Sequence, residues 1–112
     1  MIISFGHKNI EIPVKKVSKL GKIIGLMFKK KTTENFLFEF NEKTSVRIHS
    51  YFVFFDFLAI WLDNKNRILE YKIIKSFTLS VKPKKSFFKL IEIPLNKKNE
   101  EIIKSFVGKR KI

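Results

Sequence analysis

The sequence predicts a mainly β, α+β domain: a small antiparallel sheet, curled or barrel-like, with two short helices. Three observations lead there. Thirteen Phe and many β-branched residues crowd into short segments, the composition of strands packed on both faces. Pro13 and Pro94 each stop an apolar, alternating stretch. Only two segments carry apolar residues at three- and four-residue intervals, the spacing of an amphipathic helix. At 112 residues the chain has the size of one domain, 1–112, with a modest core and little slack in it.

The elements follow in order. Ile10-Glu11-Ile12 alternates and ends at Pro13. Val14, Val17, Leu20, Ile23 and Ile24 then fall on one helical face with lysines between them, predicting a helix over 14–24. Phe36-Leu37-Phe38-Glu39-Phe40 is a strand. Segments 46–48 and 51–62 are dense in aromatic and β-branched residues, and 51–62 is apolar at both parities, as a central or barrel strand would be. Residues 63–67, Asp-Asn-Lys-Asn-Arg, form a turn because Asn tolerates the left-handed conformation a tight hairpin requires. Segment 67–79 returns as its partner strand. A further strand over 87–93 stops at Pro94. Asn96 is placed to cap a helix over 97–106, with Glu100 and Glu101 in its early turns and Gly108 at its end.

Charge divides the chain. The net charge of +14 is carried as +7 on residues 1–31, −2 on 32–71 and +9 on 72–112. Two basic ends therefore flank an aromatic, slightly acidic middle. A surplus of this kind is the footprint of a phosphate-binding surface, with Lys29, Lys30, Lys31, Lys82, Lys84 and Lys85 as the basic-face candidates. Against that, 21 of the 24 basic residues are Lys, whereas bidentate phosphate and base contacts favour the Arg fork. Ile (16), Phe (13) and Asn (7) are also numerous beside a single Ala, so the lysines also fit a general compositional drift. The aromatic stretch 48–64 contains no Lys or Arg, unlike single-strand nucleic-acid platforms, which interleave the two.

Some chemistry has no footing. Without Cys there is no disulfide, thiolate nucleophile or zinc–thiolate site. The two histidines, His7 and His49, have no acidic partner at ligand spacing, so neither a metal nor another cofactor is expected. There is no Gly-rich phosphate loop and no nucleophile elbow. The longest apolar run is twelve residues and holds Asp56, too short for a transmembrane helix, and the start lacks a signal-peptide pattern. A cytoplasmic protein is expected.

At Gly25-Leu26-Met27-Phe28-Lys29-Lys30 the chain matches a motif that follows the first helix in the family catalogued as domain of unknown function 192. The family's long aromatic segment is matched by Ile48, His49, Ser50, Tyr51 and Phe52, then Phe55, Trp61, Leu62, Asp63 and Arg67. Its closing strand looks like Leu90-Ile91-Glu92-Ile93-Pro94, and its last element like Val107-Gly108-Lys109. The chain resembles that family over residues 10–110, and the resemblance implies a small, mainly β domain of unassigned biochemical role. Where the family has Pro-Ile-Asp, this chain has Asp56-Phe57-Leu58, so the carboxylate is displaced by two residues on the same side of a strand.

The polar residues inside the apolar segments are the site candidates: His49, Asp56 and Glu92, with Trp61 beside them. In one reading they converge in an aromatic-lined pocket that binds a small ligand. In the other, Asp56 anchors a backbone amide, Glu92 pairs with a lysine, and both are structural. The expected function is a small ligand-binding or interaction module. A basic nucleic-acid-binding accessory protein is the alternative. An enzyme using Asp56 or Glu92 as general acid or base is a second alternative, and the balance is against catalysis.

Overall fold

The computed structural model describes residues 1–17, 29–48, 50, 53–78 and 80–108. Seven strands form two sheets, and the mainly β, α+β class is what the sequence predicts. Strands β1 (Ile2–Phe5) and β2 (Lys8–Glu11) make a hairpin whose two-residue turn opens on Gly6 at φ +62°, the sign such turns demand. The larger sheet contains β3 (Lys15–Lys16), β4 (Phe36–Thr44), β5 (Phe57–Leu62), β6 (Ile68–Ile74) and β7 (Phe87–Pro94), in the order β3-β4-β7-β5-β6.

Three expectations are corrected. The sheet is open, with β3 and β6 at its edges, and not a closed barrel. It is mixed, because β3 runs parallel to β4 while its other pairings are antiparallel. Residues 14–17, read as the start of a helix, are extended: Lys15 and Val17 donate backbone N–H groups to the carbonyls of Asn35 and Leu37. Apolar spacing cannot register such an edge pairing, since Val14 and Val17 also pack from an extended segment. The remainder of that predicted helix lies outside the described residues.

The long apolar segment is likewise only partly strand. Residues 53–56 are not in the sheet, and β5 begins at Phe57. Asp56 causes the break. Its carboxylate accepts from Ser76 N (3.1 Å) and Lys75 Nζ (3.3 Å), and its carbonyl accepts from Leu95 N (3.1 Å). From there β5 is buried on both faces between β7 and β6, which explains its apolar residues at both parities.

The sheet therefore has two dry faces of different character. On the aliphatic face, Leu37, Leu58, Ile60, Ile91 and Ile93 pack under the β1–β2 hairpin and helix α1 (Glu100–Val107). The helix follows a 3-10 turn, Lys97–Asn99, capped by Asn96, whose side chain accepts from Asn99 N (3.0 Å). Gly108 ends it at φ +72°. Phe106 on α1 stacks on Phe5 at 5.3 Å between centroids and meets Tyr71 edge-on, joining hairpin, helix and sheet. On the aromatic face, Phe36, Phe38, Phe57, Ala59, Trp61 and Leu90 pack with Phe87, under Val53 and Phe55 from the loop before β5.

Candidate functional site

The aromatic face carries one charge-bearing group in its centre. Along one rung the cross-strand neighbours are Phe36 on β4, Glu92 on β7, Ala59 on β5 and Lys72 on β6. The next rung runs Phe38, Leu90, Trp61, Glu70. Residues on adjacent rungs of this kind are two apart along each strand and so point to the same face. Glu92 and Trp61 are thus diagonal neighbours on that face, at a separation of roughly 7–8 Å between backbone positions.

Glu92 is 6% exposed, and its Oε1 has no hydrogen-bond partner among the described residues. Burial alone, with no compensating cation, pushes its carboxyl up to about 8 from an ordinary 4.5. At neutral pH it is mostly the protonated acid, able both to donate and to accept. Trp61 is fully buried, meets Phe87 edge-on at 6.5 Å, and its indole Nε1 also has no partner. Leaving a buried polar group unpaired costs about 1–3 kcal/mol, so two such atoms on one apolar face are expensive to keep. Directly across from Glu92 stands Ala59, the single alanine of the chain and the smallest side chain on that face. The Lys29 ammonium sits 5.9 Å from the centre of the Phe36 ring, on the other side of Glu92.

The other candidates fall elsewhere. Asp56 is held in the loop by Ser76 and Lys75, about a third exposed, and makes no hydrogen bond to Glu92. Glu92 pairs with no lysine among the described residues. His49 lies outside the described residues. Its neighbour Ser50 is fully buried and ties this segment to the turn after β6: Ser50 N and O bond Thr78 and Phe77, while its hydroxyl donates to Lys75 O (2.6 Å) and accepts from Thr78 N (2.5 Å). Beside that turn, Phe54 (63% exposed) and Phe77 (50%) pair edge-on in solvent, with Phe77 at φ +58°.

The lysines do not assemble on one face. Lys29, Lys30 and Lys31 lie by β4 and the start of the C-terminal helix, where Asn96 Nδ2 donates to Lys31 O and Thr33 N to Lys30 O. Lys82, Lys84 and Lys85 lie by β6, where Lys84 N donates to Glu70 Oε1 and Lys82 borders a cleft with Lys72 and Ile74. Strands β7 and β5 lie between β4 and β6, so three strand spacings, about 14 Å, separate the two groups.

The sequence reading missed the buried asparagines. Asn35, Asn96 and Asn99 are each about 95% buried and join the 30–35 segment, β7 and the helix start by side-chain bonds to the carbonyls of Pro13, Lys31 and Pro94. Only Asn96 carried a signal, as a helix cap. Asn at a strand start is otherwise indistinguishable from a solvated loop residue.

No family model matches the chain, and no curated protein does. Two solved structures are similar in fold. A protein of unknown function from Novosphingobium aromaticivorans has a TM-score of 0.70 at 11% identity, covering 83% of this chain and 70% of that one. A "putative transcription regulator" from Sinorhizobium meliloti also has a TM-score of 0.70, at 13% identity, covering 83% and 76%. Both show that the fold is a recurring one.

Proposed function

We propose that this chain is a small ligand-binding module of the family called domain of unknown function 192, with its site on the aromatic face around Glu92. The observation that carries the reading is the unpartnered Glu92 carboxyl facing the lone Ala59 on a wall of Phe36, Phe38 and Trp61. Ligand sites are mostly apolar with a few convergent polar groups, and here a neutral acid and an indole N–H supply them. A charged ligand gains nothing from a protonated acid in an apolar enclosure, so the ligand is a small neutral molecule with a carbonyl or amide.

The module acts without catalysis. Glu92 makes no hydrogen bond or ion pair with a second titratable group among the described residues, and Asp56 is committed to Ser76 and Lys75. The nucleic-acid alternative draws on the lysines and on the fold likeness to a "putative transcription regulator" from Sinorhizobium meliloti, but the two lysine groups lie by β4 and β6, with β7 and β5 between them, rather than in one cluster for a phosphate backbone.

Trp61 is the sole tryptophan, so intrinsic fluorescence reports this face alone. Titration with small neutral amides should move Trp61 emission saturably, and Ala59→Leu, which sets a larger side chain directly across from Glu92, should abolish the response while the fold persists by circular dichroism. Emission indifferent to every neutral amide tried, or a response unchanged in Ala59→Leu, would contradict the reading.

A further inference from the structure

We propose a second, independent ligand site in the cleft where residues 13–15, 33–35 and 98–99 meet, built to take a small monoanion that presents a carboxylate and a nearby amide N–H.

The cleft measures about 570 Å³ and is lined by Pro13, Val14, Lys15, Glu34, Asn35 and Lys98, together with Thr33 and Asn99. That volume lies within the range of roughly 300–1,000 Å³ typical of small-molecule sites. Its walls come from three remote parts of the chain and are cross-braced. Asn35 Nδ2 donates to Pro13 O (2.9 Å), Lys15 N to Asn35 O (2.8 Å), Lys98 Nζ to Thr32 O (2.7 Å) and Asn99 Nδ2 to Pro94 O (2.8 Å). A cleft held open by hydrogen bonds at every wall loses little entropy when it is occupied.

Its polar groups specify the occupant. Asn35 is 5% exposed, and its Oδ1 has no partner among the described residues although its Nδ2 is satisfied. An amide oxygen of that kind accepts from an N–H or O–H donor on a ligand. The Lys15 ammonium makes no ion pair among the described residues, and Lys98 uses one of its three N–H donors on Thr32. Two ammonium groups against the single Glu34 carboxylate leave the wall with one net positive charge. A carboxylate neutralises that charge, whereas a phosphate dianion overshoots it and meets Glu34. The same chemistry occurs in an N-acylated amino acid and in the free C-terminus of a peptide.

The test is a titration of the full ¹⁵N-labelled chain followed by amide shifts. The probes are N-acetylglycine, acetoxyacetate (the ester lacking its N–H), triglycine, triglycine amide and inorganic phosphate. Expected are saturable shifts confined to residues 13–15, 33–35 and 98–99 with N-acetylglycine or triglycine. Acetoxyacetate and triglycine amide should each bind about tenfold more weakly, a difference of about 1.4 kcal/mol. Phosphate should be weaker than either carboxylate ligand. Tighter binding of triglycine than of N-acetylglycine assigns the site to peptide termini, and the reverse order assigns it to free acyl amino acids. Lys15→Gln, at an exposed edge position, should lower affinity several-fold with the spectrum otherwise unchanged. Absence of saturation at about 10 mM of every probe, equal binding of triglycine and its amide, or shifts mapped to the Glu92 face would overturn the proposal.

Discussion

Glu92 on β7 and Trp61 on β5 lie on adjacent rungs of one antiparallel ladder, and each holds a buried polar atom, Oε1 and Nε1, with no partner. Two orphaned groups of complementary kind on a face otherwise made of Phe, Leu and Ala are the most unusual feature of the molecule. The two atoms do not bond each other, and a bound group with both a donor and an acceptor would satisfy both.

The Glu92 carboxyl makes stability depend on pH in the direction opposite to most carboxylates. Its pKa is raised in the native state, so between 4.5 and about 8 the native chain holds a proton that the unfolded chain has released. Stability must then fall as pH rises through that window, by up to about 1.4 kcal/mol per pH unit, and level off above it. Urea denaturation of the wild type from pH 5 to 9 should show this decline. Glu92→Gln should flatten it.

At the acid end the sign reverses. The Glu39 carboxyl is held below its ordinary value by its bond to Lys16, against the opposing effect of burial. Burial would raise Asp63, but the N–H groups of Arg67 and Lys65 outweigh it and hold it low. These groups contribute stability above the unfolded pKa and lose it as pH falls through the lowered one. Asp63 also closes the β5–β6 turn, accepting from Lys65 N (2.8 Å), Arg67 N (2.9 Å) and Arg67 Nε (2.6 Å), with Asn66 at φ +62°. Asp63→Ala should cost about 1–2 kcal/mol at pH 7 and much less at pH 2, read from thermal midpoints at the two pH values.

Ser50 secures the loop that lids the aromatic face. Removing its hydroxyl orphans Thr78 N and leaves Lys75 O with the Thr78 hydroxyl as donor. Ser50→Ala should therefore destabilise by about 1–3 kcal/mol in urea titration, and Trp61 emission should shift to the red as water reaches the face. An unchanged midpoint would mean that the loop is held by its apolar contacts alone.

The two lysine triplets lie by strands three spacings apart, about 14 Å, beyond the screening length of about 8 Å at physiological salt. Replacing Lys29, Lys30 and Lys31 by Gln, or Lys82, Lys84 and Lys85, should lower the salt needed for elution from a polyanion column by independent, additive steps. Cooperative loss from either triple variant would indicate a shared surface.

How much of this was readable from residues alone differs by element. The hairpin around residues 63–67, the strand ending at Pro94 and the capped C-terminal helix were legible because Asn, Pro and Gly act locally, through their own backbone. The strand Ile2–Phe5 was missed because four residues carry too little periodicity, and its turn rests on one glycine. Lys15–Lys16 was misread because its extended form is imposed by a partner twenty-one residues away, at Phe36 and Leu37. For the site, Glu92 and Trp61 were identifiable as polar atoms in apolar surroundings. Their shared face was not, since it follows from the β5–β7 register. Asp56 looked equivalent to Glu92, yet β5 begins one residue after it, at Phe57, which leaves it in a loop with partners of its own.

The central claim is that Glu92 is a neutral acid in an apolar enclosure at physiological pH. Side-chain carboxyl NMR of the ¹³C-labelled chain, with Glu92→Gln to assign the resonance, measures this directly. The account predicts a titration midpoint near 8. A midpoint near the ordinary 4.5 would show a solvated or cation-paired carboxylate and would contradict it.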